Sequence, residues 1–424
     1  MINTYFGAGA LFVIGALITP LAHAQESLSD FGQPDGFAQP SQRKMGAFAV
    51  GFQHISQVDL SNNINLQPAG GNGYRYTGSL LANFSGKLGS SDMKGSAGVQ
   101  LIDQEEPNTD ATSRSTNFIG DLKLRSPLTE HMTNFLSFKS EEEVSNDSQV
   151  LVKTTSLSTT RTNTLSDRLE IGLSPAWQIA VDGSVQAEHY NTTNEKDVGK
   201  QTLSQESLFK RDNSFVTLTL THNLTKPHQV YAITQFTQST GGSFSSASLD
   251  QDSISVGAGI KSLAGDLKYQ LELAYGSSDA TSVAANGSST SSTETAVFGQ
   301  ATAQYALSKR TRIYGGVARS VSVDITTSNN AALETVPVLH LQTDITNNWY
   351  AGVRLEYPMI EVLGTDMEID NPNASLKSGF RFSPTLNIEG TLKYQEQTVN
   401  AAAQSAGIEE FDESVVTLIL NWYF

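Results

Sequence analysis

The chain contains no cysteine, so it has neither a disulfide framework nor a lipid-modified N-terminal Cys, and its fold must be held by a hydrogen-bond ladder. Beyond an apolar stretch from Phe6 to Leu21 there is no run of about 18 or more apolar residues, which excludes a helical membrane protein. Basic residues are few: 27 Lys and Arg stand against 43 Asp and Glu, for a net charge of -16, and no basic patch is interleaved with aromatics. Nucleic acid is therefore not an expected partner. A phosphate-binding glycine loop, a zincin motif and a Cys cluster are all missing, so neither an enzyme nor a cofactor or metal site is expected. Asp366, Glu368 and Asp370 have the spacing of a calcium loop, but Asn371 stands where Gly is needed and Lys377 where the closing Glu belongs.

What is present is alternation. A mean hydropathy of -0.24 with 38% hydrophobic residues looks soluble, yet a transmembrane barrel turns only every second residue to lipid, so the hydropathy of each strand averages out. Leu267, Tyr269, Leu271, Leu273 and Tyr275 alternate with Lys268, Gln270 and Glu272. The same period places Trp177, Ile179, Val181 and Val185 opposite Gln178, Asp182, Gln186 and Glu188. Trp349, Val353, Leu355 and Tyr357 oppose Arg354 and Glu356; Leu386, Ile388, Leu392 and Tyr394 oppose Glu389 and Lys393; Phe118, Leu122 and Leu124 oppose Asp121, Lys123 and Arg125. The inward set is thus Asp121, Lys123, Arg125, Arg168, Glu170, Asp182, Glu188, Lys268, Glu272, Arg354, Glu356, Lys377, Arg381, Glu389 and Lys393. So many ions would be too costly in a dry apolar core, whereas a water-filled lumen solvates them.

The ends of the chain agree with export. Ala22, His23 and Ala24 form a small-x-small cleavage pattern after the apolar stretch, so residues 1–24 read as a signal peptide. Residues 25–44, with Gly32, Pro34, Gly36 and Pro40, read as a disordered periplasmic leader. Residues 45–424 repeat one unit of strand, short turn, strand and long polar loop, giving about 18 strands, with 16 as the alternative count. The predicted fold class is all-β: a single antiparallel up-and-down transmembrane barrel with short periplasmic turns and long outer loops. Glu105, Glu106, Glu141, Glu142, Glu143, Asp366, Glu368, Asp370, Glu409 and Glu410 fall in segments assigned to those loops. A soluble β-propeller is the competing fold, since the hairpin repeat fits a blade period.

Val416, Leu418, Leu420, Trp422 and Phe424 alternate with Thr417, Ile419, Asn421 and Tyr423 up to the last residue. This strand resembles the C-terminal signal of bacterial outer-membrane barrels, and the resemblance implies recognition by the barrel-assembly machinery and a place in the Gram-negative outer membrane. Trp177, Trp349, Trp422 and Phe424 would then mark the periplasmic interface, and Tyr190, Tyr275, Tyr357 and Tyr394 the outer girdle. Outer-membrane lipid and lipopolysaccharide are the expected surroundings. The run from Asp167 to Pro175, followed by Trp177 and a strand ending at Tyr190, resembles hairpins of β-barrel porins found with exopolysaccharide secretion genes. That resemblance implies passage of a polysaccharide through an 18-strand barrel. The functional expectation is a channel for hydrophilic solutes or polysaccharide through a mixed-charge lumen, the alternative being a non-conducting structural or adhesive barrel acting through acidic loops. Of the seven histidines, all but His23 follow the signal segment, and only His189, beside Glu188 and Tyr190, invites inspection as a rim enzyme site.

Overall fold

A computed structural model describes residues 43–62, 72–105, 112–145, 158–192, 210–225, 227–241, 246–262, 264–284, 289–323, 331–362, 366–405 and 410–424. The signal segment and nearly all of the expected leader lie outside these residues. The elements are β1 (Arg43–Met45), β2 (Phe48–Ser61), β3 (Gly73–Leu88), β4 (Ser91–Glu105), β5 (Thr112–Thr129), β6 (Met132–Ser145) and β7 (Ser158–Gly172). They continue with β8 (Trp177–Thr192), β9 (Lys210–Asn223), β10 (His228–Gly241), β11 (Ser246–Ser262), β12 (Leu267–Ala284), β13 (Ser289–Ala306) and β14 (Thr311–Val323). The last are β15 (Ala331–Thr346), β16 (Trp349–Glu356), β17 (Met359–Val362), β18 (Glu368–Asp370), β19 (Asn373–Ser383), β20 (Leu386–Val399), α1 (Ala401–Ser405) and β21 (Phe411–Tyr423).

Each wall strand pairs antiparallel with its neighbours in sequence, and β2 pairs with β21 from Gln53↔Tyr423 to Ser61↔Val415, so the sheet closes on itself. β1 is a short arm folded back on β2. β16 with β17, and β18 with β19, are two wall strands interrupted at Pro358 and Pro372. The wall therefore has 18 strands. Proline cannot donate to the ladder, and at these breaks the proline carbonyls are used instead: Asn371 N donates to Pro358 O at 2.8 Å and Glu396 N to Pro372 O at 3.0 Å. With strands ~4.8 Å apart and tilted by ~40°, a circular section would measure about 35 Å between backbones. A propeller is excluded, since one continuous closed sheet carries every strand.

The two rims differ. One carries tight turns, such as Gly46–Ala47 and Gly89–Ser90, where Gly46 (φ 66°) and Gly89 (φ 63°) adopt the left-handed conformation that two-residue hairpins need. The other carries the long connections, for example from Thr192 to Lys210. Several acids expected in outer loops belong to strands instead: Glu105 ends β4, Glu141, Glu142 and Glu143 lie in β6, and Glu368 and Asp370 form part of β18. The Ser- and Thr-rich ends of β12 and β13 also pair, from Ser277↔Thr295 to Val283↔Ser289. Once two antiparallel strands are in register, the ladder satisfies backbone groups whatever the side chains face, so hairpins run on beyond any apolar belt.

Parity sorts the two faces. Leu271, Leu273, Val256, Ile254, Val297, Leu376 and Leu418 are exposed on the outer face, Leu273 to 69%. Gln57, Gln104, Gln251, Gln270, Gln300, Asn387 and Glu389 are buried on the inner face. This inverts the arrangement of a water-soluble protein, in which large contiguous apolar surface is rare.

Candidate functional site

The inward face is the candidate site. Register places Asp121, Lys123, Arg125, Arg168, Glu170, Asp182, Lys268, Glu272, Arg354, Glu356, Lys377, Arg381, Glu389 and Lys393 on it: Asp121 opposes Lys139, Arg168 opposes Asp182, Glu272 opposes Gln300 and Gly379 opposes Glu389. The side chains of Glu188, His189 and Tyr190 lie outside the described ones.

Three polar clusters line this face. In the first, Arg168 sits between two carboxylates, with Nε 2.8 Å from Glu170 Oε1 and Nη1 3.0 Å from Asp182 Oδ1. In the second, Lys377 Nζ lies 2.8 Å from Glu389 Oε2, and Asn387 Nδ2 donates to Glu389 Oε1 at 3.3 Å. Nearby, Arg354 Nε donates to Glu356 Oε1 at 2.7 Å. The third spans β20, β21, β2, β3 and β4. Gln57 Nε2 donates to both Asp59 oxygens at 2.9 and 2.8 Å, Thr417 Oγ1 to Asp59 Oδ1 at 2.7 Å, and Ser61 Oγ to Glu413 Oε1 at 2.6 Å. Gln395 bridges Glu413 and Lys393, donating to Glu413 Oε2 at 2.8 Å and accepting from Lys393 Nζ at 2.6 Å. Arg75 stands opposite Asp59 in register and donates to Gln104 Oε1 at 2.8 Å.

Two inward tyrosines repeat one local design. Tyr231, Gly259 and Glu272 occupy one row on β10, β11 and β12, and Tyr350, Gly379 and Glu389 one row on β16, β19 and β20. Each ring lies against the glycine of the next strand, where a Cβ would meet it. Tyr231 Oη donates to Glu272 Oε2 at 2.6 Å, and Lys261 Nζ sits 5.2 Å from the ring centre. Lys377 Nζ lies 6.0 Å from the Tyr350 ring centre.

From β8 to β11 the wall presents Ser184, Asn213, Thr217, Thr221, Thr237, Ser239 and Gln251, buried hydroxyls and amides, beside the charges of Asp182 and Lys261. A patch of apolar groups, Ile55, Leu81 and Ile419 with Ile119 against them, interrupts the polar lining near the seam. Sequence reading missed this patch, together with Arg75, Asp59, Glu413, Lys261 and both tyrosines. Local alternation already turns Ile419 and Glu413 away from Val416 and Leu418, and Tyr350 away from Trp349; what it does not state is their partners across strands. At the long-loop rim, Ala403 of α1 packs among Ile360, Val362, Met367 and Ile369, giving the inner rim a small apolar core.

The aromatic expectations fall on the outer face. Trp177 and Trp349 open β8 and β16 after tight turns, Trp422 lies near the end of β21, and all three are exposed, as are Phe424, Tyr275, Tyr357 and Tyr394. Tyr275 stands mid-strand, because β12 runs on to Ala284. Phe424 closes the seam with paired backbone bonds to Phe52 at 3.0 and 2.9 Å.

No protein-family model matches the chain, and no curated protein does. Among solved structures, Acinetobacter baumannii OccAB2 aligns at 9% identity over 90% of this chain and 100% of its own, with a TM-score of 0.48. Pseudomonas aeruginosa OccK7 aligns at 10% identity over 90% of this chain and 99% of its own, with a TM-score of 0.47. The FrpB iron transporter from Neisseria meningitidis aligns at 8% identity over 88% of this chain and 81% of its own, with a TM-score of 0.46. These likenesses are distant.

Proposed function

We propose that the chain is an outer-membrane channel passing hydrophilic solutes through a polar, mixed-charge lumen. The observation that carries this reading is the inversion of polarity between the two faces of the wall: exposed leucines and valines outside, bonded carboxylates, guanidinium groups and amides inside. Lipid suits the first face and water the second. Among the described residues, Asn213, Thr217, Gln300 and Thr302 have no protein partner for buried side-chain polar atoms. A dry interior would cost ~1–3 kcal/mol for each such group, whereas a hydrated one supplies water partners. A wall of 18 strands leaves an aqueous channel in barrels of this class.

In this reading the rim with long connections faces outward and the tight turns face the periplasm. Residues 1–24 are cleaved as a signal peptide, and the β21 strand ending at Phe424 is what the barrel-assembly machinery engages. The lining charges act as a paired wall that screens by size and weakly by sign. A polysaccharide is the finer substrate reading, favoured by the hydroxyls and amides of Ser184, Asn213, Thr217, Thr237 and Gln251 on β8 to β11, since sugars pair with such groups.

Single-channel recording of the refolded protein in planar bilayers, at two salt gradients, tests the reading. Steady conductance with a modest reversal potential is expected, and oligosaccharides added to one side should block it if a sugar polymer is the cargo. A folded, inserted barrel that never conducts would overturn the channel and leave the structural or adhesive barrel.

A further inference from the structure

Several bases on the inner wall are held by acids, but two that face each other are not. Lys94 of β4 and Lys123 of β5 are Cα partners in the ladder. Both turn inward, since Val99 and Leu101 on β4 and Phe118 on β5 have the opposite parity and are exposed on the outer face. Both lysines are themselves exposed, so what they are exposed to is the lumen. Directly opposed residues of an antiparallel pair hold their Cβ atoms ~5 Å apart, and like charges so placed destabilise the sheet.

The acids nearest to them are turned elsewhere. Asp92, two residues before Lys94, is shared by Lys87 Nζ at 3.9 Å and Arg125 Nη1 at 3.7 Å. Asp121, two residues before Lys123, accepts a hydrogen bond from Ser96 Oγ and opposes Lys139, whose Nζ lies 2.6 Å from Glu141 Oε2. Among the described residues neither Lys94 nor Lys123 belongs to an ion pair. Their row continues through Ser137 of β6 and Ser166 of β7, so hydroxyls and not acids stand beside them. In a chain with 43 acids and 27 bases, two facing lysines without a carboxylate are a departure from the rest of the wall.

We propose that Lys94 and Lys123 bind the phosphate group of an anionic solute inside the lumen, with the Ser137 hydroxyl beside it. This rests on the reading of the barrel as a channel. An ammonium is a compact point charge with three donors, so two of them reach separate oxygens of a tetrahedral dianion. A dianion neutralises both lysines, whereas a single carboxylate leaves one positive charge in place. The pair stands near the tight-turn end of the wall, β4 beginning at Ser91.

The test compares the full-length refolded protein with its Lys94→Gln and Lys123→Gln variants in planar bilayers at low salt, adding inorganic phosphate, glycerol phosphate or acetate. In parallel, the same proteins in detergent are acylated with a lysine-directed reagent, with and without phosphate, and the labelled positions are located by mass spectrometry. The expected result is that both phosphates interrupt the current and acetate at equal concentration does not. Phosphate should also protect Lys94 and Lys123 from acylation, and the concentration for half-block should rise several-fold in each Gln variant. Equal block in the variants, or equal block by acetate, would overturn the proposal. In a conducting parent, absence of block or of protection removes the site and leaves the channel standing. Protection in a parent that inserts but never conducts keeps the site and overturns the channel.

Discussion

The Tyr350 ring and Gly379 invite a direct test of how the inner wall is held together. A Cβ placed on Gly379 would stand 2.6 Å from Tyr350 Cζ and 2.8 Å from Oη. Ordinary van der Waals separation would require the ring to retreat by most of an ångström, and Tyr350 is only 2% exposed, so it has little space to retreat into. Gly379→Ala is therefore expected to destabilise by about 1–3 kcal/mol, the cost of overpacking by one carbon. In a Tyr350→Ala background the three atoms nearest the added methyl, all of the ring, are gone. There the same substitution should be neutral, or stabilising by up to ~1 kcal/mol through its effect on the unfolded chain. The double-mutant cycle should then give a coupling of about 1–4 kcal/mol. Urea unfolding of vesicle-refolded protein, followed by tryptophan fluorescence, measures each corner. If Gly379→Ala costs the same with and without the ring, the tyrosine and glycine are merely adjacent and the account of the wall is wrong.

Three further outcomes follow from the same geometry. Arg168→Ala removes one positive charge from between Glu170 and Asp182, so the reversal potential in a salt gradient should move toward the cation value, while stability changes by only ~0–1 kcal/mol because the pair is half-exposed; an unmoved potential would put Arg168 outside the ion path. Leu273→Arg should cost ~2–4 kcal/mol by urea titration, whereas Leu88→Arg, at the tight-turn end of β3 and similarly exposed, should stay within ~0.5 kcal/mol. Equal costs at the two sites would argue against a lipid belt. Ala403→Arg puts a charge into the rim core with Ile360, Val362, Met367 and Ile369; limited proteolysis between β20 and β21 should accelerate while the folded barrel keeps its fast mobility on unheated gels. Unchanged cleavage would show that α1 is not held by that core.

The faces of the wall were legible in the sequence, and the reason is local. Alternation within one strand, as from Leu267 to Tyr275, states which residues share a side without knowledge of any partner. The count of strands was legible too, because tight turns such as those before Trp177 and Trp349 punctuate the chain. Strand length was less so. Nothing in the Ser- and Thr-rich run after Tyr275 announces that it pairs with the start of β13, since that ladder depends on a partner and not on side-chain polarity. The proline breaks were hidden for a related reason, because Pro358 and Pro372 interrupt strands that their neighbours still hold in register. Least legible were the partners across strands. Arg75 meets Asp59, and Glu389 meets Lys377, through the registers of β2 with β3 and β19 with β20, which no single strand's alternation states.

The paired wall has a consequence for traffic. A fixed charge that stands alone in a channel is a well: it captures a counterion, and the next step waits for escape. In the proposed channel, an ion passing Lys377 held by Glu389 or Arg354 held by Glu356 would meet dipoles whose far fields largely cancel. Residence at those points would then be brief, and on the proposed reading such a wall would trade selectivity for turnover.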